Sequence, residues 1–308
     1  MNSVKNINWI NLDWNTYKDV DILLKKTMNE PFSALTYLGW KYYGVNIKFA
    51  FYNESILFIG EIKNRFKNII RDNDTNNQLV DFNIKNTIIR PFFFKDDLEN
   101  VIKICKEEIN STDNIILENF YADDLKNVSF KEHLWEWDSN YIYETEKLKF
   151  FKGKSLQKKR NLLNYFNLNY LSNSSIEKIT KNNLNVILEL IDSGSNEIEF
   201  IEAEIEFYKD LINNFDEKTM SGSILYLNNQ VIGFTLGYSR NHYYEIYIEK
   251  AWKSIKGSYQ YLLSQNLIIN NINTEFIDRQ DGASSEGIIK SKLSYKPIKI
   301  SRRSIYLI

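Results

Sequence analysis

Asp278, Arg279 and Asp281 lie within six residues of chain, FIDRQD (276–281), and Glu286 and Lys292 follow closely behind them. A carboxylate that takes a proton from an attacking amine or hydroxyl, set beside cations that steady a phosphate or a developing oxyanion, is group-transfer chemistry. The same residues would also make an ordinary strand-to-helix turn whose charges pair in solvent, where each pair is worth about 0–1 kcal/mol. A second charged run, KGKSLQKKRNLLNYF, crowds Lys152, Lys154, Lys158, Lys159 and Arg160 into the first turns of a helix whose buried face is marked by Leu156, Leu163 and Phe166. Positive charge at a helix start opposes the macrodipole, so these cations call for another partner, either a polyanionic ligand or nearby acids.

A third group sits upstream, in YIEKAWKSIKGSY: Glu249 and Lys250 at a strand end, then Gly257, Ser258 and Tyr259 where a helix opens. The strand HYYEIYIEKA, the helix KGSYQYLLSQNLIINN and the strand TEFIDR form a crossover that joins two parallel strands. Ligands bind outside the C-terminal ends of such strands, where the following helix points its amides at an anion. Glycine at 257 lets a phosphate or an acyl carbonyl approach the backbone, although plain helix initiation explains the residue equally well. The run lacks the second glycine and the Gly-Lys-Ser/Thr ending of a P-loop. Strict alternation would place Tyr243, Glu245, Tyr247 and Glu249 on one face of the strand.

The elements that must position these residues follow from periodicity. Residues 19–45 read as helical with a turn at Glu30-Pro31, and IKFAFYNESILFIGE reads as a hairpin around Asn53-Glu54. TIIRPFFF and NIILENF read as strands flanking the helix KDDLENVIKICKEEI. Beyond a short strand at NYIYET, SIEKITKNNLNVILELIDSG and EFIEAEIEFYKDLINNF read as two helices. In the second, Ile201, Ile205, Tyr208, Ile212 and Phe215 form the apolar stripe, leaving Glu197, Glu199, Glu202, Glu204 and Glu206 as a solvated face. GSILYLNNQVIGFTLGYS is a hairpin around Asn228-Asn229, and a helix over 284–293 precedes a C-terminal strand. The boundary is expected near 140, giving domains 1–140 and 141–308.

A chain of 308 residues exceeds what one core comfortably serves. Lysine plus arginine (39) and aspartate plus glutamate (40) nearly cancel, so no global positive field argues for nucleic acid. One cysteine, Cys105, excludes an intramolecular disulfide and fits a reducing compartment. Two separated histidines, His133 and His242, offer neither a zinc set nor a visible triad. No signal peptide or membrane-spanning run is present, which predicts a cytoplasmic protein with no integral membrane segment. Serine-hydrolase, kinase and dinucleotide-binding signatures are absent.

The order of the pieces YIYETEKLKFFKGKSLQKKRNLLNYF, GSILYLNNQVIGFTLGY, YIEKAWKSIKGSYQYLLSQN and FIDRQDGASSEGIIKSKLSYKP resembles the soluble relatives of the phosphatidylglycerol lysyltransferase catalytic domain. The family's motifs fall on Gly153, Lys159, Arg160 and Asn161, on Glu249, Lys250 and Ala251, on Gly257 and Tyr259, and on Lys292 to Pro297. Its Asn-Arg-Glu-x-Asp-Leu-Gly motif is altered here, running Asp278, Arg279, Gln280, Asp281, Gly282, Ala283, Ser284. The resemblance implies an α/β (α+β) fold of two GNAT-like, acyl-CoA N-acyltransferase-type domains in tandem, with mixed sheets flanked by helices and the active site in the second.

It also implies an aminoacyl- or acyltransferase with no tightly bound cofactor. The donor co-substrate would be aminoacyl-tRNA ahead of acyl-CoA, and the acceptor an amine or hydroxyl on a small molecule, lipid or peptide. Glu249 or Asp281 would then assist deprotonation, Lys250 or Arg279 with amides near Gly257 would hold the oxyanion, and Tyr295 would protonate the leaving group. Lys158, Lys159 and Arg160, with Ser258 and Tyr259, would bind the donor; Asp278, Glu286 and Lys292 would complete the cleft. The altered motif keeps a second reading open, a GNAT-like binding or sensing protein without turnover.

Overall fold

The computed structural model describes residues 7–24, 33–63, 84–92, 98–194, 197–198, 200–281 and 285–308, without the side chains of Trp135 and residues 137–139. The turn expected at Glu30-Pro31, Glu199 and the motif positions Gly282, Ala283 and Ser284 lie outside the described residues. Elements in the first part of the chain are β1 (Ile10–Asn11), α1 (Tyr17–Leu24), α2 (Ala34–Gly39), β2 (Val45–Tyr52), β3 (Ser55–Ile62), β4 (Asn86–Phe92), α3 (Leu98–Ile109) and β5 (Ile115–Phe120). There follow β6 (Glu132–Glu144), α4 (Thr145–Phe150), α5 (Gln157–Tyr170), β7 (Ser174–Lys178), α6 (Leu184–Ser193), α7 (Glu202–Asn213), β8 (Met220–Leu227) and β9 (Gln230–Arg240). The chain ends with β10 (Tyr243–Ala251), α8 (Ser258–Ile269), β11 (Phe276–Asp278), α9 (Glu286–Ser294) and β12 (Lys299–Leu307).

Two compact units result. Met1–Trp137 with Arg302–Ile308 forms one, and Asp138–Ser301 the other. The last strand, expected to belong wholly to the second half, ends in the first unit because Ser304, Tyr306 and Leu307 pair with Phe120, Leu117 and Ile116 of β5. In the first unit the strand order is β1-β2-β3-β4-β5-β12, with β4 and β5 parallel. α3 lays Val101, Ile102 and Cys105 onto Leu57, Ile88 and Leu117. Cys105 is buried, and that burial pushes its thiol up to about 12, which keeps it protonated.

The second unit runs β6-β11-β10-β9-β8-β7. Both expected hairpins form, and Asn53, Asn228 and Asn229 take the positive φ that a tight turn demands. Two expectations fail. SIEK is the edge strand β7, paired along β8, and the helix begins only at Leu184. In α7 the buried residues are Ala203, Phe207, Tyr208, Leu211 and Ile212, a stripe rotated from the expected one, with Ile201 exposed.

β10 and β11 pair in parallel over Tyr243↔Phe276, Tyr244↔Ile277 and Glu245↔Asp278. β11 ends there, while β10 continues to Ala251 along β9 alone. The register of β10 against β9 shifts between Ile246 and Ile248, so Tyr247 is an extra residue, a β-bulge. The bulge reverses the alternation beyond it. Tyr247 lies edge-on to Phe207 of α7, whereas Tyr244 and Ile246 pack with Tyr143, Leu263 and Tyr295 on the α8 face.

Candidate active site

Glu249 and Arg279 meet where β10 and β11 part. Arg279 Nη2 donates to Glu249 Oε1 at 2.5 Å, and the two side chains are only 10% and 9% exposed. The Arg279 guanidinium lies 4.4 Å from the centroid of the Tyr295 ring and 5.9 Å from that of Tyr143. Glu249 thus joins Tyr244 and Ile246, not Tyr243, Glu245 and Tyr247 as strict alternation requires. Burial alone would lower the Arg279 pKa; the Glu249 carboxylate, with Tyr295 and Tyr143, outweighs it and holds the guanidinium above its ordinary value. Glu249 Oε2 and Arg279 Nη1 are nonetheless buried without a hydrogen-bond partner among the described residues. Unmatched buried polar atoms are uncommon in folded proteins, and these two are open to water or to a ligand.

Tyr295 is the platform of the cluster. Its hydroxyl accepts from Gln260 Nε2 of α8 at 2.6 Å, and Lys159 of α5 places Nζ 3.9 Å from its ring centroid. Burial, opposed by Arg279 and assisted by Glu249, raises the Tyr295 pKa, so the phenol stays neutral. Burial and the neighbouring Arg279 charge, against the pull of Glu249, bring the Lys159 ammonium down to about 8.

The turn after β11 is equally constrained. Asp278 is fully buried and accepts from Asn140 Nδ2 at 2.7 Å and from the Gln280 N–H at 2.8 Å. Burial, and next the charge of Glu245, push its pKa well above the carboxylate range. Gln280 adopts a left-handed φ of 57°. The carbonyls of Arg279, Gln280 and Asp281 converge on Lys292 Nζ, which is 3.1 Å from the Gln280 oxygen. Burial first, opposed by Asp281, brings Lys292 down to about 8.

Other expected residues take other places. Lys250 points to the α7 face, where its Nζ donates to Glu204 Oε2 at 2.9 Å and lies 5.8 Å from the Tyr208 ring. Glu204 is therefore an internal partner and not part of a solvated acidic face. Lys158 is exposed, while Arg160 Nη1 donates to the carbonyls of Phe151 (2.6 Å) and Gly153 (3.1 Å) and holds the turn before α5. The basic run is thus split three ways.

Gly257 has φ 91°, and a Cβ there would come 2.3 Å from the Leu162 carbonyl oxygen of α5, so helix packing accounts for the glycine. Ser258 Oγ donates to Trp252 O at 2.8 Å, a structural bond. Tyr259 is half-buried, and burial raises its pKa against a hydrogen bond at Ala251. Asp281 is exposed, and Glu286 pairs with Lys290 at 2.8 Å in solvent, away from the cluster. Gln260 and Asn140 were missed by residue-type reasoning. The signal for Gln260 was a polar residue in a helix whose neighbours Tyr261, Leu262 and Leu263 are all buried.

The chain is similar to several known proteins. The family model described as "Phosphatidylglycerol lysyltransferase, C-terminal" matches residues 117–306. An uncharacterized protein of Mycoplasmoides gallisepticum is 34% identical over 286 residues, 88% of this chain and 90% of its own. A conserved protein of unknown function from Bacteroides thetaiotaomicron superposes with a TM-score of 0.76 at 20% identity, covering 98% of this chain and 99% of that one. The C-terminal domain of a lysylphosphatidylglycerol synthetase from Agrobacterium fabrum gives 0.61 at 10% identity, with coverage of 96% and 91%. A tandem GNAT protein from the clavulanic acid biosynthesis pathway gives 0.50 at 7% identity, with 98% of both chains covered. The fold is the mixed α/β, tandem GNAT-like one, and among the described residues no helix is long and apolar enough to cross a membrane. With the family model spanning more than half of its length, the chain belongs to the phosphatidylglycerol lysyltransferase C-terminal family.

Proposed function

We propose that the protein is an acyltransferase that moves an acyl group from a phosphate-bearing donor to an amine or hydroxyl acceptor on a small molecule, lipid or peptide. Aminoacyl-tRNA is the favoured donor, ahead of acyl-CoA. The observation that carries this reading is the buried Glu249–Arg279 pair, which leaves Oε2 and Nη1 unmatched where two parallel strands part. Family membership supplies the reaction class, and the name of the family and of the A. fabrum relative points to aminoacyl transfer.

In this reading Arg279 Nη1 donates to the acyl carbonyl oxygen and stabilises the negative charge it gains as the acceptor attacks. Its guanidinium is held by Glu249 on one side and the Tyr295 ring on the other, so little reorganisation is needed in the transition state. Neutral Lys159 takes the acceptor's proton, and its ammonium returns that proton to the leaving oxygen or sulfur as the tetrahedral intermediate collapses. One group serving as base and then acid leaves the protein unchanged at the end, and no covalent enzyme intermediate is required. Tyr295, bonded through its hydroxyl to Gln260, positions both cations. Lys158, exposed one residue before Lys159, would meet donor phosphate.

Purified protein is incubated with labelled aminoacyl-tRNA or acyl-CoA and a panel of amines and alcohols, and label is followed into acceptor. Transfer from either donor supports the reading. Tight binding of donor with no transfer to any acceptor favours the sensing protein instead, a role consistent with Gln280 standing where the family motif has an acid.

A further inference from the structure

The two unmatched atoms differ in kind, and they belong to residues already locked to one another. Glu249 Oε2 accepts only and Arg279 Nη1 donates only, while Oε1 and Nη2 of the same pair are 2.5 Å apart. A ligand that satisfies both must present a cationic or N–H donor and an oxygen acceptor close together. A plain acetyl group offers its carbonyl oxygen alone and would leave Oε2 buried and unpaired, a costly state for a carboxylate. An α-aminoacyl group offers an ammonium on the carbon next to its carbonyl, which matches a donor site and an acceptor site on one ion pair.

The charges around the pair add a second restriction. Once Glu249 is engaged, the cations that face it are Arg279 itself, Lys159 over the Tyr295 ring, and Lys292 under the β11 turn. Among the described residues no carboxylate is ion-paired to Lys159. The acids nearby are committed elsewhere: Asp278 to Asn140 and the Gln280 N–H, Glu245 to Arg240 and Tyr247, Glu204 to Lys250 on the other face of β10, and Asp281, at the exposed end of the turn, offsets Lys292. A side chain bearing a second ammonium would meet the like charge of Lys159, to which no carboxylate among the described residues is paired.

We propose that the acyl group taken by this site is an α-aminoacyl group whose side chain carries no positive charge, with Glu249 receiving its α-ammonium and Arg279 its carbonyl oxygen. This inference rests on the acyl-transfer reading and narrows it, and it separates the chain from the lysyl transfer for which its family is named.

The test is calorimetric binding at pH 7 of four 3′-acylamido-3′-deoxyadenosines to the full chain: alanyl, propionyl, lysyl and Nε-acetyl-lysyl. The alanyl compound should bind about tenfold or more tighter than the propionyl one, which lacks only the ammonium. The Nε-acetyl-lysyl compound should bind about tenfold or more tighter than the lysyl one, which separates charge from length. Glu249→Gln should remove the alanyl preference, and because both wild-type comparisons stand without it, a variant that fails to fold does not spoil the test. Equal binding of alanyl and propionyl, lysyl binding as tight as its acetylated form, or no binding of any of the four overturns the inference. Binding in the expected order without transfer to any acceptor would instead sink the catalytic reading and leave the recognition intact.

Discussion

Glu249 and Lys250 are neighbours on β10 and make their ion pairs on opposite faces of the sheet, Glu249 with Arg279 at 2.5 Å and Lys250 with Glu204 at 2.9 Å. Of the two, the first pair has buried atoms without a hydrogen-bond partner among the described residues. Glu249→Gln should therefore lower kcat/KM about 100-fold or more, the scale of losing one aligned electrostatic contact in a transition state. Lys250→Met should cost about 1 kcal/mol of stability and leave kcat/KM within about threefold. Steady-state kinetics on the two variants checks this, and equal losses would place the chemistry on the wrong face.

Lys159 and Lys292 are both brought down to about 8 by burial, but only Lys159 has an ammonium without a hydrogen bond or ion pair among the described residues. Neutral Lys159 is the proton acceptor in the proposed reaction, so kcat should climb as pH rises and level off above about 8. Lys159→Met should abolish that limb along with most of the rate, about 100-fold or more. Lys292→Met should lower the melting temperature by unseating three carbonyls and leave the shape of the profile unchanged. A limb that survives in Lys159→Met assigns the titration to another group.

Burial holds the Asp278 carboxyl well above its ordinary pKa. Its folded pKa is raised above the unfolded value, so its contribution to stability is complete below the ordinary carboxylate pKa and is lost as pH rises through the folded one. Asp278→Asn should remove this dependence. The melting temperature of the wild type, compared with that of the variant across pH 4 to about 9, should fall behind as pH increases. A constant difference would show that Asp278 does not titrate in that range.

Gly257 joins α5 to the start of α8. Alanine there would place Cβ 2.3 Å from Leu162 O at a φ of 91°, so both space and backbone conformation oppose it. Urea unfolding of Gly257→Ala should show a loss of about 2 kcal/mol or more. A near-neutral result would mean that α5 has room to shift.

Much of the fold was legible because its signals are local. Asn53, Asn228 and Asn229 specify hairpins by their own tolerance of positive φ, and α3 announces itself by the spacing of Leu98, Val101, Ile102 and Cys105. β7 was not legible, since Ser174–Lys178 is a short, partly exposed edge strand whose identity depends on pairing with β8. The candidate site was legible only in part: Gln260 and Asn140 were missed, and Lys250, Arg160, Ser258 and Glu286 take other places. Glu249, Arg279 and Lys159 were named from type and spacing and Tyr295 through the family resemblance, yet the bulge at Tyr247, a property of pairing with β9, decides that Glu249 and not Lys250 meets Arg279. Likewise a run of three cations gives no hint that Lys159 turns inward while Arg160 holds a turn and Lys158 faces solvent.

In the proposed reaction, acyl transfer takes place at the Glu249–Arg279 pair, between the parting ends of β10 and β11. A crystal structure of the chain with 3′-alanylamido-3′-deoxyadenosine tests it most directly. The acyl carbonyl oxygen should lie within about 3 Å of Arg279 Nη1, with the ammonium at Glu249 Oε2. An acyl group bound elsewhere, with the pair still unmatched, would contradict it.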